Sequence, residues 1–399
     1  MDSRVYWIWL AQALGPGSRA MEPLLNTFGV ARAMYEADAA ALLKAGVPQT
    51  AVRRMKDHSL EAAHRILDRT LEMGDWVLTP EDALYPTCLR RLEDCPAALY
   101  CRGVMPPLNS RPAVAVVGTR HASEAGRKDA YALAAGLAAA GLVVVSGGAT
   151  GIDAAAHSGA LDVGGSTILV MACPLNVEYP AENTALRHRI VEAGGLLISE
   201  YPADEPFKCI FQVRNRVMVG LSQGVCLAET PARSGARISA RLARENGRDV
   251  FALPGALIGH HNDGAHSEIR SGAILVTQAA HVVGEYAPLF PGTLDVEAAL
   301  TAQKQAEGYT PPASTPKPKK KPKSAAPSAP TEERQPAVLP DTVSDNAKAV
   351  YAALTDTPQP VDLLADKVGL PIPLLLVALT ELELFGCARN SAGQQYTKL

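Results

Sequence analysis

Ala113-Val114-Ala115-Val116-Val117-Gly118-Thr119-Arg120 and, thirty residues on, Val143-Val144-Val145-Ser146-Gly147-Gly148-Ala149-Thr150-Gly151-Ile152-Asp153 follow one pattern: an apolar run that stops in a glycine turn. Predominantly apolar runs of strand length recur at 113–117, 142–146, 166–172, 196–199, 224–229, 249–253 and 274–276, each separated from the next by a segment of helical length. Strands apolar on both faces and alternating with helices predict an α/β fold, an extended Rossmann-like parallel sheet covered on both sides. In such a sheet ligands bind beyond the C-terminal strand ends, where glycine turns and helix N-termini offer unpaired N–H groups. Residues 73–290 are assigned to this domain.

Residues 1–72 read as a helical bundle of the SAM or helix-hairpin-helix kind, from Leu14-Gly15-Pro16-Gly17 followed by Leu24, Leu25, Phe28 and Gly29. The amides of such a hairpin can hold a DNA backbone, but basic residues are sparse there. Residues 291–340 read as a linker: from Thr301 to Pro340 the chain is crowded with Pro, Ala, Ser and Lys and has no helical or strand period. Lys317, Lys319, Lys320, Lys321 and Lys323 within it are assigned to a solvated spacer. Residues 341–399 hold helical segments at Ser344–Leu354, Val361–Val368 and Pro371–Phe385, the last ended by Gly386, and then a wing over 387–397. Three helices and a wing describe a winged helix. Its third helix is apolar and carries Glu381 and Glu383 where a duplex reader presents Arg, Lys, Asn or Gln, so contact with protein is favoured over DNA.

The chain has 399 residues, 47% of them hydrophobic and 20% charged, with a formal net charge of -3. A strongly basic field over the whole molecule is excluded, so any nucleic-acid surface must be local. The seven cysteines lack the spacing of a zinc knuckle or redox pair. No secretory signal opens the chain and no apolar run reaches the ~18 residues of a membrane span; a soluble, cytoplasmic protein is expected, with no membrane partner.

The chemistry concentrates in the turns. Gly118, Thr119 and Arg120 form the first anion-binding turn, and Ser146, Gly147, Gly148 and Thr150 the second: small residues admit a phosphate to the backbone, and Arg120 adds a fork of charge-assisted bonds. The dinucleotide pattern Gly-x-Gly-x-x-Gly is absent from the first turn, so no nicotinamide or flavin cofactor is expected. Tyr179-Pro180-Ala181-Glu182-Asn183 starts a further helix; Asn183 suits a base edge or phosphate, while Glu182 can act as a dipole partner alone. Arg214, Asn215 and Arg216 read as a compact phosphate site at a helix start, with Phe211 either a stacking face for an unpaired base or a core residue. Arg233 and Ser234, before Gly235, repeat the glycine-loop pattern, and Ser234 can serve as an N-cap with or without ligand. Arg241, Arg244 and Arg248 read as solubilising residues on an amphipathic helix. His260, His261 and His266 lack partner carboxylates, and no metal site is expected.

Gly118-Thr119-Arg120, Ser146 to Asp153 with Ala156-His157, Tyr179-Pro180 with Glu182-Asn183, Arg214-Asn215-Arg216, Arg233-Ser234-Gly235 and Val250 to Gly255 stand in the order found in DprA/Smf proteins. Over residues 75–285 the chain resembles that DNA-processing family, and its flanking regions resemble accessory domains that some members carry. The resemblance implies a non-enzymatic protein that binds and shields incoming single-stranded DNA in natural transformation. It further implies loading of RecA recombinase and dimers formed through the Rossmann-like domain. It places DNA contacts on Arg120, Asn183, Arg214 and Arg216, with Ser146 and Gly147 in the pocket wall. One departure is Thr150, where many members carry Arg or Lys. The rival reading is a nucleotide phosphoribohydrolase of the lysine-decarboxylase-like type, with Asp153, Glu182 or Glu229 as the acid–base group, although the Pro-Gly-Gly-x-Gly-Thr signature of those enzymes is missing.

Overall fold

The computed structural model describes residues 2–207, 209–311, 343–355, 357, 359–384, 387–391 and 395–398. The first of two compact units, Met1–Ala313, opens with helices α1 (Arg4–Leu14), α2 (Met21–Phe28), α3 (Ala31–Glu36), α4 (Ala39–Lys44), α5 (Gln49–Arg54) and α6 (Glu61–Glu72). Strand β1 (Trp76–Leu78), helix α7 (Thr87–Arg90) and strand β2 (Leu99–Gly103) lead into β3 (Ala113–Val117). There follow α8 (Glu124–Ala139), β4 (Val143–Ser146), α9 (Ile152–Asp162), β5 (Thr167–Val170), α10 (Thr184–Glu192) and β6 (Leu196–Ser199). The unit continues through α11 (Phe211–Gly220), β7 (Gly224–Leu227), α12 (Ala236–Glu245), β8 (Asp249–Ala252), α13 (Asp263–Arg270), β9 (Ile274–Leu275), α14 (Ala279–Tyr286) and α15 (Val296–Gln305).

Each of the seven apolar runs holds a strand. The nine strands form one sheet in the order β1-β2-β6-β5-β4-β3-β7-β8-β9; β3 to β9 pair in parallel, and β1 and β2 run antiparallel at one edge. Strand β3 shows why the sequence is apolar without alternation. Val114 and Val116 face the core beneath α8, α9, α14 and α15, whereas Ala113, Ala115 and Val117 face the core beneath α11 and α12, as the two-residue side-chain period of a doubly covered strand requires. The winding reverses at β3, which has β4 on one side and β7 on the other, and a crevice opens there beyond the strand ends.

The N-terminal helices share their core with the sheet. Trp7 and Trp9 are buried in α1, and their indole N–H groups donate to Glu81 (2.5 Å) and to the Asp57 carbonyl (2.6 Å), as a buried indole requires. The Gly15–Gly17 turn faces inward: a Cβ on Gly17 would lie 3.3 Å from Arg216 Nε and from Val213 Cγ1, and the Gly17 amide donates to Glu200. The Gly17 amide is therefore committed to the α/β domain, and the Gly15 amide donates within α1 to Ala11 O at 2.8 Å.

The boundary expected at residue 291 differs from the structure. Helix α15 occupies Val296–Gln305, capped by Asp295, whose carboxylate accepts from Ala298 N at 3.0 Å. Its Ala299 and Ala302 are buried, and it packs on α8 where Gly136 leaves room, a Cβ there meeting Ala299 O at 2.9 Å. Tyr309 then stacks on Tyr131 with centroids 3.6 Å apart. Ordered chain thus runs well past the expected start of the linker; its remaining residues, 312–340, with all five lysines, lie outside the described residues.

In the second unit, Ser314–Leu399, the described elements are α16 (Asp345–Ala353), β10 (Gln359–Pro360), α17 (Val361–Val368), α18 (Ile372–Leu384), β11 (Ala388–Ser391) and β12 (Gln395–Lys398). The strands form a small antiparallel sheet in the order β10-β12-β11. This is a winged helix around a core that includes Val350, Leu364, Leu375, Leu379 and Tyr396. Ser344 caps α16, and its hydroxyl donates to Glu381 at 2.6 Å. Phe385 and Gly386, expected to end the third helix, lie outside the described residues.

Candidate nucleic-acid interface

The first turn leaves β3 at Gly118, whose missing Cβ lets Glu229 O approach to 2.7 Å from where it would stand. Thr119 N donates to that carbonyl at 2.8 Å. The Glu229 carboxylate accepts from Ser123 N (2.9 Å) and from the Ser123 hydroxyl, the N-cap of α8. Glu229, just beyond the end of β7, therefore fixes both ends of the loop 118–123. Arg120 is left exposed at its crest.

The second turn is held from below. The Ser146 hydroxyl donates to Val116 O at 2.6 Å, and the Asp153 carboxylate accepts from Ala149 N at 3.2 Å. Gly148 and Gly151 take positive φ (+70° and +82°), which glycine adopts without strain. Arg214 donates to the carbonyls of Gly147 and, at 2.7 Å, Val170, while its Nε donates to Asn215 Oδ1 at 3.0 Å. Asn183 Nδ2 donates to Gly148 O at 2.9 Å. The Thr150 hydroxyl donates to Arg120 O at 3.3 Å and ties the two turns together. Burial lowers the Arg214 pKa and raises that of Asp153, each opposed by the other's charge; Arg214 keeps its proton.

Two adjoining cavities open above the turns, of about 300 and 230 Å³, and both are lined by Arg120, Ala149, Phe211 and Arg214. The larger adds Gly118, Thr119, Asn215, Arg233 and Ser234; the smaller adds Gly147, Thr150, Tyr179 and Glu182. Phe211, the first residue of α11, stands between them. The Arg120 guanidinium carbon lies 4.6 Å from its ring centroid, within cation–π range. Tyr179 is 6.1 Å from the same ring, tilted by 44°. The result is a groove with a glycine-lined floor, an aromatic divider and two exposed cations, Arg120 and Arg233.

Most of the expected residues meet in this groove. Ser146, Gly148 and Asn183 lie beneath it and hold the second turn in shape. Ser234 accepts from Ala236 N at 3.2 Å, fixing the loop before α12. Arg216 is a correction to the expected phosphate site: only 6% of its side chain is exposed, and it pairs with the buried Glu200, lies 3.5 Å from Asp94 and donates to Asp94 O. Residues not anticipated include Met171 and Ala172, which line the smaller cavity, and His121, Gln212, Ile238 and Ser239, which line the larger. The end of the β5 run could have pointed to the first pair. Among the described residues no group of three potential metal ligands comes together.

Residues 76–287 match the profile of the family described as DNA recombination-mediator protein A. The chain belongs to that family, DprA/Smf. Residues 320–394 match the DprA winged helix domain. The DNA processing protein DprA of Streptococcus pneumoniae (strain R6) is 43% identical over 206 residues, covering 51% of this chain and 72% of the relative. Protein Smf of Escherichia coli K12 is 35% identical over 318 residues, covering 79% and 76%. The X-ray structure of DprA from Streptococcus pneumoniae superposes with a TM-score of 0.61 at 33% identity, covering 71% of this chain and 99% of that one. Among the described residues of this DprA-family chain no helix is long and apolar enough to cross a membrane.

The DprA-family groove uses two of the three carboxylates of the rival reading as framework. Asp153 is buried beneath the second turn, where it also lines the larger cavity, and Glu229 is buried beneath the first. Glu182 alone of the three is exposed at the rim.

Proposed function

We propose that this recombination-mediator protein binds single-stranded DNA in the groove between β3, β4 and β7, without catalysis. The observation that carries the reading is Arg120 standing exposed over Phe211 between two cavities. A phosphate can reach the guanidinium while an unpaired base stacks on the ring, and stacking tolerates any base. Arg120 has no ion-pair partner among the described residues, so its charge is available to the ligand. In the cell, the protein shields incoming single strands during natural transformation and loads RecA recombinase onto them, from the cytoplasm. A homodimer formed through the α/β domain is supported by the open sheet edge at β9, where Ile274 and Leu275 are exposed; an uncovered edge with apolar side chains invites pairing. The winged helix presents Leu374 and Val377 to solvent, which suits a protein partner better than a phosphate backbone.

Filter binding of oligothymidylate over a salt series tests the reading. The affinity should fall with salt by ~0.7 in log–log slope per neutralised phosphate. Arg120→Glu should lower it at least ~tenfold, or ~1.4 kcal/mol, with the melting temperature unchanged because the side chain is exposed. A flat salt response, or duplex held as tightly as single strand, would sink the reading. Release of free base from nucleoside monophosphates would favour the phosphoribohydrolase instead.

A further inference from the structure

Helix α12 carries Arg237, Arg241 and Arg244 on its outer face, while Ala236, Ser239, Ala240 and Ala243 are buried against β7 and β8. The side chains of the three arginines are 40%, 66% and 38% exposed. Arg233, in the loop just before the helix, already lines the groove, as do Ile238 and Ser239 from its first two turns. The helix therefore begins as the wall of the groove and continues away from it for ~15 Å at 1.5 Å per residue, with a guanidinium at about every turn. Its outward face has no aromatic side chain.

The buried carboxylate of Glu268, on α13, accepts from Arg237 Nε at 2.8 Å and from Arg244 Nη1 at 2.6 Å. One carboxylate holding two guanidiniums leaves a surplus positive charge and fixes both side chains, and each planar fork keeps donors free for a further anion. Arg241, between them, has only Glu245 at 3.8 Å, with both partners more than half exposed, a pairing that contributes little. Along the strip four guanidiniums, counting Arg233, face two carboxylates, Glu245 and Glu268, in a chain whose formal charge is -3. Solubilising arginines need no buried carboxylate to hold them in place. A phosphate-tracking strip gains from it, because side-chain entropy is lost before the ligand arrives.

We propose that the outer face of α12 is a second single-strand surface, along which the DNA backbone leaves the groove past Arg233 and runs over Arg237, Arg241 and Arg244. The inference rests on the groove being a single-strand site. It adds a length dependence: short oligonucleotides fill the groove alone, and longer ones also engage the helix.

Fluorescence anisotropy with oligothymidylates of about 6 and about 20 nucleotides, within the range of single-strand site sizes, separates the two surfaces. Wild-type protein should bind the longer one more tightly. Arg241→Glu, at an exposed position with only a loose partner, should weaken the longer oligonucleotide about tenfold and reduce its salt slope by ~0.7 or more. The shorter should be unaffected, and Arg241→Lys should behave as wild type on both. The proposal is overturned if Arg241→Glu leaves the long oligonucleotide unchanged or weakens both lengths equally. If Arg120→Glu abolishes binding of both lengths and Arg241→Glu alters neither, the groove stands and the α12 surface falls. If wild-type protein binds neither length, the groove reading fails and takes this one with it.

Discussion

Arg214 and Arg216 flank one asparagine, and the fold sends them to opposite sides of α11. Residues two apart on a helix point ~200° from each other. With the helix starting at Phe211, the pair cannot share one phosphate. Arg214 turns toward the glycine turn of β4, and Arg216 turns toward Glu200 and Asp94 under the N-terminal helices. Removing Arg216 leaves the buried Glu200 carboxylate uncompensated, a change that costs roughly 3–5 kcal/mol when one member of a buried pair is deleted. Arg216→Ala should therefore lower the urea midpoint strongly, whereas Arg120→Glu should leave it in place. A variant of Arg216 that kept full stability but lost DNA binding would show that the arginine belongs to the groove after all.

Helix α15 shows how an element can be hidden by composition. Its sequence, Val296–Gln305, is rich in Ala and Gln and runs into a Pro/Lys-rich stretch, so it reads as the start of a spacer. The residues it buries most deeply, Ala299 and Ala302, are small and fit against α8 where Gly136 leaves room, with Val296 and Leu300 packing at the margin. That complementary surface lies some 160 positions earlier in the chain and leaves no local trace. Chains ended after residue 311 and after residue 290 should therefore differ: loss of α15 and of the Tyr309–Tyr131 stack uncovers the core under α8 and should cost ~3 kcal/mol or more. Calorimetry should register this as a drop of several degrees in the melting temperature, and equal melting temperatures would return the segment to linker status. The winged-helix elements were legible by contrast, because α16, α17 and α18 each carry their own apolar period and their own cap or stop.

At the scale of the whole molecule, the acidic net charge and the basic groove coexist because the cations that matter are placed locally. The fold also carries a pH sensitivity of its own. His157 is fully buried in α9; its Nδ1 hydrogen-bonds Thr167 Oγ1 at 2.7 Å, and that hydroxyl donates to Val144 O. Nδ1 therefore holds the ring proton, and Nε2 is buried with no hydrogen-bond partner among the described residues. Burial pushes the His157 pKa down to about 3, below the ~6.5 of an unfolded histidine. The unfolded chain thus takes up a proton that the folded chain refuses. Stability is complete above pH ~6.5 and declines by ~1.4 kcal/mol per unit as the pH falls toward 3, a loss of ~2 kcal/mol at pH 5. Melting temperatures measured from pH 7 to pH 5 should show the decline, and His157→Leu, which removes the titrating ring, should flatten it. An unchanged slope in that variant would assign the acid sensitivity elsewhere.

The parallel sheet, the two glycine turns and the winged helix were determined by the sequence alone, because each is written in short-range order: runs apolar on both faces, a glycine where φ must be positive, an apolar period with its cap. The location of the groove followed from them, since a doubly wound sheet opens a crevice beyond its strand ends. Tertiary structure alone decided which arginines reach the groove and which carboxylates become framework. Arg216 finds Asp94 at a sequence separation of 122 residues, and Glu229 finds Ser123 at 106. Such partners are chosen by the packing of distant segments and by the cost of leaving a buried charge unpaired, and local sequence records neither.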